Sequence, residues 1–141
     1  MDQLVTALEK EDVKNVTLTS PVDRDELAER YDDADILFIH LNDYDIFKKV
    51  LPSKIFELAV IGKPILAGVA GYSASFLRQY VPHAFLFDPC DIRGMAAQVK
   101  KIDLCENVVS THDISLFLKN FSREIINREM ARSIFQIPMQ L

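Results

Sequence analysis

Short apolar runs alternate along the chain with segments of helical periodicity, and this alternation constrains the fold more than any other feature. The clearest run is Ile-Leu-Phe-Ile at residues 36–39, which has the composition of a strand buried on both faces of a parallel sheet. Parallel strands that alternate with helices are joined by right-handed crossovers. We therefore predict an α/β fold with a parallel sheet, whose strands lie near residues 15–19, 35–40, 64–69 and 84–87.

Proline, glycine and capping residues mark the helices between these strands. Pro52 stands where a first helical residue would, and Gly62 stands where that helix would end. The last predicted helix is the longest and covers residues 113–137. Three further helices are predicted to begin at capping residues, which are Asp23, Ser73 and Asp91.

Composition fits a single globular domain over residues 1–141. Apolar residues make up 49% of the chain and charged residues 26%, which argues against disorder. The net charge of −5 gives no support to nucleic-acid binding, and no apolar run approaches the length of a membrane span. Cys90 and Cys105 lack a CxxC spacing, so we interpret them as reduced thiols of a cytoplasmic protein; a structural bridge is the alternative.

The titratable residues show no pattern of a metal site. His40, His83 and His112 are scattered and lack metal-ligand spacing with cysteine or carboxylate. Asp43 and Asp45 follow a strand, but no basic or hydroxyl partners fall in the later strands, so a solvated loop explains them better than a metal pocket. We predict no metal and no cofactor.

The segment LPSKIFELAVIGKPI, residues 51–65, carries the most informative polar residues. On a helix that begins at Pro52, the side chains of Ser53, Lys54 and Glu57 project from one side. Free N–H groups and Lys54 favour an anion at that end. Glu57 has apolar neighbours in sequence, so it is expected in an apolar setting, where ribose hydroxyls would satisfy it. The alternative is that Lys54 and Glu57 form a surface ion pair, and spacing alone favours neither.

This segment resembles the family-4 retaining glycosyltransferases of the GT-B fold, whose C-terminal domain carries a PSK-x-x-E helix followed by G-x-P-[IV]. Residues 67–73 and 87–89 resemble a subset of this family that makes bacterial surface polysaccharide and includes L-fucosamine transferases. Weaker similarities to the family occur in order along the chain, at residues 15–18, 25–27, 31–36, 67–73 and 87–89. The resemblance implies a three-layer, Rossmann-like parallel sheet of the C-terminal half of GT-B. The chain opens on a helix, as though that half lacked its first βα unit.

The resemblance also implies the donor-binding residues. Glu57 matches the second glutamate of the family's E-x7-E pair and would bind the ribose hydroxyls, while Pro52, Ser53 and Lys54 would lie along the diphosphate. Pro21 and its neighbours would lie near the nucleobase. The sequence departs from the family at Lys49, where the first glutamate is expected. The basic residues that clamp the diphosphate from the opening βα step have no counterpart, and no catalytic residue is identified.

The resemblance predicts a nucleotide-sugar-binding domain, with a UDP-linked donor, that lacks its acceptor domain and is inactive alone. A UDP-sugar 2-epimerase-like fragment is the runner-up, although it would need more acid–base carboxylates and histidines. A non-catalytic α/β binding module is a third reading. The acceptor half is expected on a separate polypeptide if it exists.

The apolar stripe of the last helix and an unpaired sheet edge predict a homodimer. A location peripheral to the inner membrane is the alternative use of this helix, whose basic residues would face anionic lipid. Its charge excess is too small for firm anchoring. The stripe consists of Ile114, Phe117, Leu118, Phe121, Ile125 and Ile134.

Overall fold

The computed structural model describes residues 2–104 and 110–135. Contacts group the chain into two compact units, Met1–Arg30 and Tyr31–Leu141. The single domain expected over residues 1–141 stays a prediction. In the part of the chain that is described, no helix is both long enough and apolar enough to cross a membrane.

The first unit contains one complete helix and the start of a second. Helix α1 spans Asp2–Lys10, and α2 spans Arg24–Asp33, so α2 ends in the second unit. The carboxylate of Asp23 accepts the N–H groups of Asp25 and Glu26 at 3.1 and 2.9 Å. The predicted N-cap at Asp23 is thereby confirmed.

The strand predicted at residues 15–19 is wrong. These residues form no regular secondary structure, and Val16 and Leu18 are 47% and 39% exposed. Their β-branched composition favours a strand, but that preference depends on packing against neighbouring strands. All three strands of the observed sheet lie in the second unit.

Among residues 2–104 and 110–135, the sheet consists of three parallel strands in the order β1–β2–β3. Strand β1 spans Leu37–His40, β2 spans Ile65–Gly68 and β3 spans Ala84–Phe87. These three strands confirm the prediction of a parallel α/β sheet. The remaining elements are a 3-10 helix at Asp45–Lys49 and the helices α3 at Ser53–Ala59, α4 at Gly71–Tyr80, α5 at Ile92–Leu104, α6 at Thr111–Phe121 and α7 at Arg123–Phe135.

Apolar side chains from both faces of the sheet are buried, because successive strand residues point in opposite directions. On one face, a cluster unites β1 and β2 with residues of α3, α4 and α6, including Ile55, Leu77 and Phe117. On the other face, Leu66 and Phe87 pack against Ile102 of α5. Helices therefore cover one face of the sheet and, on the other face, α5 covers β2 and β3. Phe38 of β1 lies on this second face and is 57% exposed, so the prediction that residues 36–39 are buried on both faces is wrong.

The apolar stripe expected on the last helix is largely used inside the protein. Phe117 is 5% exposed, and both Phe117 and Phe121 pack with Phe76, at ring-centre distances of 6.2 and 5.1 Å. The expectation that these two phenylalanines form an uncovered stripe is wrong, and the homodimer stays a prediction.

The prediction of one continuous helix over residues 113–137 is wrong, because the helix is divided at Ser122. This residue has an extended backbone, with φ −64° and ψ 146°, and its N–H closes α6 by donating to Leu118. Its hydroxyl then accepts the N–H of Ile125 in the first turn of α7, at 3.4 Å. One serine thus ends one helix and caps the next; residues 136–137 lie outside the described residues.

Candidate functional site

The predicted donor-binding residues of the PSK segment lie at the start of α3. Pro52 is the residue before the helix, with φ −63° and ψ 139°, and Ser53 is its first residue. Proline fits this position because its φ is fixed and its missing N–H would have no helical partner. Since α3 follows β1, its first turn lies toward the carboxyl ends of the strands, where open α/β sheets bind ligands.

Lys54 and Glu57 form an ion pair on the outer side of α3. The ammonium of Lys54 lies 3.1 Å from a carboxylate oxygen of Glu57, and the side chains are 44% and 48% exposed. The expectation of an apolar setting for Glu57 is therefore wrong. Ile55, Leu58 and Ala59, its neighbours in sequence, turn toward the core on the opposite side of the helix.

Tyr31 adds an aromatic ring to this pair, 23 residues before Lys54 in the sequence. The Lys54 ammonium lies 5.2 Å from the centre of the ring. The Tyr31 side chain is the largest cause that raises the pKa of Lys54; partial desolvation lowers it, and Glu57 raises it again. The ammonium is thus held as a cation between a carboxylate and a ring face. We call Tyr31, Lys54 and Glu57 the cation cluster.

The other residues that the resemblance singled out lie at exposed positions outside the cation cluster. Ser53 is exposed at the start of α3, and Lys49 is exposed at the end of the 3-10 helix. Pro21 is exposed in the first unit, in the segment between α1 and α2. The donor-binding roles of Ser53 and Pro21 stay predictions, whereas Lys49 stands where the family has its first glutamate.

The loop after β1 carries a second group of charges. Lys48 lies 2.8 Å from Asp45 and 3.5 Å from Asp43. The bond to Lys48 lowers the pKa of Asp45, and the same bond raises the pKa of Lys48. These exposed charges are consistent with a solvated loop, in which the two aspartates share one lysine. The loop borders a small concavity lined by Leu41, Asn42, Asp43, Phe47, Lys48, Ala70 and Pro89.

The loop after β1 also closes the first turn of α4. Ser73 is fully buried, and its hydroxyl donates to the Val50 carbonyl at 2.6 Å. The prediction that Ser73 caps α4 is wrong, because the helix begins two residues earlier at Gly71. Gly71 lies close against the backbone of Lys48, where a Cβ atom would be 2.2 Å from the Lys48 carbonyl oxygen. The first turn of α4 is therefore occupied by the chain itself.

A row of rings lies across the carboxyl ends of the strands, and the sequence did not reveal it. The register aligns His40, Gly68 and Phe87, and the His40 and Phe87 rings close over the glycine, 6.2 Å apart. The N–H of Cys90 donates to Nε2 of His40 at 3.1 Å. The thiol of Cys90 is free and exposed, whereas Cys105 lies outside the described residues. Within residues 2–104 and 110–135, no three histidine, cysteine or acidic side chains converge on a metal position.

His83 lies at the opposite end of the sheet. Both ring nitrogens are buried, and neither makes a well-directed hydrogen bond to a described residue. Burial lowers the pKa of His83 and outweighs Asp113 and the Ala59 backbone, which raise it. A charged imidazolium is therefore disfavoured at this position.

We expect the protein to lose stability as the pH falls below the ordinary histidine pKa of 6.5. Below that value the unfolded chain binds a proton at His83 that the folded chain does not yet bind. Unfolding is therefore favoured progressively until the lower folded-state pKa is reached, and the stability is fully present above 6.5. The free energy of unfolding, measured with urea over a pH series, should fall less steeply with decreasing pH in His83→Gln than in the unmodified protein. His112→Gln, at an exposed position, is the control, and an equal slope in both variants would contradict the assignment.

No protein-family model matches the chain, and no curated protein or solved structure matches it at a significant level.

Proposed function

We propose that the chain is the donor-binding domain of a retaining glycosyltransferase of bacterial surface polysaccharide. In this proposal Glu57 binds the ribose hydroxyls of a nucleoside-diphosphate sugar, and Lys54 and Ser53 contact its diphosphate. The observation that carries the proposal is the cation cluster. It holds a cation and a carboxylate side by side, half exposed, near the first turn of a helix that follows a parallel strand.

The chemistry of the two charged groups fits the two polar parts of such a donor. A diphosphate needs a cation that is accessible and remains protonated, and Tyr31 and Glu57 both favour the charged form of Lys54. Two adjacent ribose hydroxyls need an acceptor with two oxygens, which a carboxylate supplies. The ion pair must open when the ligand binds, but an exposed pair contributes only about 0–1 kcal/mol, so opening it costs little.

The sheet supports a Rossmann-like arrangement. In a doubly wound sheet of strand order 3-2-1-4-5-6, the last three strands lie side by side in chain order. The observed order β1–β2–β3, with helices on both faces, has that pattern. We propose that these strands form one half of a GT-B donor domain. Transfer of sugar would then need an acceptor domain to complete the cleft and exclude water, so this chain alone is expected to be inactive.

Calorimetric titration with UDP, in a buffer containing a metal chelator, tests the proposal. We expect weak binding that Glu57→Gln reduces about tenfold or more, because a hydrogen bond to a charged group contributes about 1.5–3 kcal/mol. The two halves of the ligand separate the roles of the residues. Lys54→Gln should weaken binding of inorganic pyrophosphate, whereas Glu57→Gln should weaken binding of uridine and leave pyrophosphate binding as strong or stronger, because the carboxylate that competes for Lys54 is removed.

Glu129→Gln is the matched control. Glu129 forms the same kind of exposed helical ion pair, 2.9 Å from Arg132 and three residues before it in α7. This variant removes an equivalent charge and should bind UDP like the unmodified protein. Equal affinities of the Glu57 and Glu129 variants, or no heat at millimolar UDP, would refute the proposal.

A further inference from the structure

The last turn of α2 is held in place beside the cation cluster. The Nζ of Lys63, which stands just before β2, donates to the carbonyl of Asp32 in that turn. A lysine there satisfies a carbonyl that the helix itself leaves without a partner. The side chain of Tyr31, the residue before Asp32, packs against the core cluster that includes residues of β1, α3 and α4. The Tyr31 ring is therefore fixed by its packing and by the backbone next to it.

The Lys54 ammonium has two partners of different kinds. The Glu57 carboxylate, 3.1 Å away, is a charged acceptor on a side chain that is 48% exposed and can rotate away. The Tyr31 ring, whose centre is 5.2 Å away, offers the negative face of a neutral π system. An incoming anion competes with the carboxylate, because both need the N–H donors of Lys54. It does not compete with the ring face, which contacts the cation without accepting those donors.

We propose, on the basis of the donor site proposed above, that Tyr31 is a positioning residue for Lys54. Its ring keeps the ammonium at the start of α3 while a diphosphate takes the place of the Glu57 carboxylate. Glu57 is then the partner that Lys54 exchanges, and Tyr31 is the partner that it keeps. A lysine side chain has a large rotamer entropy, and ordering it on binding weakens affinity. The ring lowers that cost, because it restricts Lys54 before the ligand arrives.

The two partners of Lys54 should therefore affect anion binding in opposite directions. Both favour the charged form of Lys54 in the free protein. Glu57→Gln removes a competitor, so pyrophosphate should bind as strongly as before or more strongly. Tyr31→Leu removes the ring and leaves a mobile ammonium, so pyrophosphate should bind more weakly.

Calorimetric titration of the full chain with inorganic pyrophosphate measures these effects. Tyr31→Leu retains an apolar side chain for packing, and its affinity should fall about two- to fivefold, the range for an exposed cation–π contact. Tyr31→Phe keeps the ring face and should restore most of the affinity. An unchanged affinity in Tyr31→Leu, or a Tyr31→Phe variant as weak as Tyr31→Leu, would overturn the role of the ring.

Tyr44→Leu is the matched control. Tyr44 is 61% exposed, and its ring packs with Phe47 at a ring-centre distance of 5.7 Å. This variant removes a tyrosine ring from the loop after β1 and should bind pyrophosphate like the unmodified protein. An equal loss in Tyr44→Leu and Tyr31→Leu would refute a specific role for Tyr31.

Acetylation of Lys54 tests the ring contact without any ligand. Acetic anhydride reacts with the neutral amine, and Tyr31 is the largest cause that raises the pKa of Lys54. In Tyr31→Leu the pKa of Lys54 should fall, and Lys54 should be acetylated faster. Lys14, whose side chain is 82% exposed, is the internal reference in peptide mass spectrometry. An unchanged ratio of the two rates would show that the ring does not hold the ammonium.

The two measurements distinguish failure of this proposal from failure of the donor site. If neither UDP nor pyrophosphate produces heat, both proposals are refuted, whatever the rate of acetylation. If UDP binds and Glu57→Gln weakens it, the donor site stands. Tyr31 is then not a positioning residue if Tyr31→Leu neither weakens pyrophosphate binding nor accelerates acetylation of Lys54.

Discussion

Phe117→Ala is expected to destabilise the protein by about 3–5 kcal/mol, the range for truncating a buried phenylalanine. Phe117 is 5% exposed on α6. Its ring centre lies 6.1 Å from that of Phe56 on α3 and 4.9 Å from that of Phe121. Removing the ring leaves a cavity where α3, α4 and α6 meet, and rings held from three helices cannot close it completely. The midpoint of urea unfolding at fixed pH measures the effect.

Leu118→Ala is the control in the same helix. Leu118 is 46% exposed, so its truncation removes little buried surface and should cost less than about 1 kcal/mol. Similar losses in the two variants would mean that α6 does not pack on the sheet. That result would also restore the apolar face of α6 as a surface for self-association.

The strands that could be predicted from the sequence are those in which a short apolar run contributes side chains to the core. Residues 36–39 are apolar throughout, and the sheet buries Leu37 and Ile39 on one face. Residues 15–19 have similar propensity, but a strand forms only where another strand pairs with it, and propensity contains no information about pairing. The sequence therefore predicted β1 to β3, and it failed at residues 15–19, which pair with no strand among the described residues.

The division of the last helix had a local signal that the apolar periodicity concealed. Ser122 is followed by Glu124, and a serine before an acidic first turn is a usual helix start. The stripe appeared to continue because Phe121 and Ile125 are four residues apart. In the structure Phe121 packs with the core cluster of α3 and α4, and Ser122 redirects the chain immediately after it.

Within the candidate site, only the contact between residues of the same helix could be predicted from the sequence. The spacing of Lys54 and Glu57 predicted both the ion pair and the ligand-binding alternative, because residues three apart face the same side. The contact of Tyr31 with Lys54 and that of His40 with Cys90 span 23 and 50 residues. Such contacts depend on how the crossovers pack, which neither spacing nor composition specifies.

Gly71→Ala should have the other large effect, because two separate requirements for glycine meet at this residue. Its φ is +62°, a left-handed conformation that costs a residue with Cβ roughly 1–2 kcal/mol. In addition, the new Cβ would lie 2.2 Å from the Lys48 carbonyl oxygen, so the backbone of the loop must move. Displacing that loop also strains the hydrogen bond from Ser73 to Val50. We expect a total loss on the order of 3 kcal/mol or more, measured by urea unfolding.

Gly62→Ala separates these two requirements. Gly62 has φ +81°, but the nearest atom to its added Cβ is the end of the Ile114 side chain, at 2.9 Å. A flexible side chain can move by a few tenths of an ångström, whereas the Lys48 carbonyl is fixed by the chain on both sides. Gly62→Ala should therefore lose only the backbone contribution of roughly 1–2 kcal/mol. If Gly71→Ala is no more destabilising than Gly62→Ala, the loop after β1 does not press on α4, and the first turn of α4 is open to a ligand.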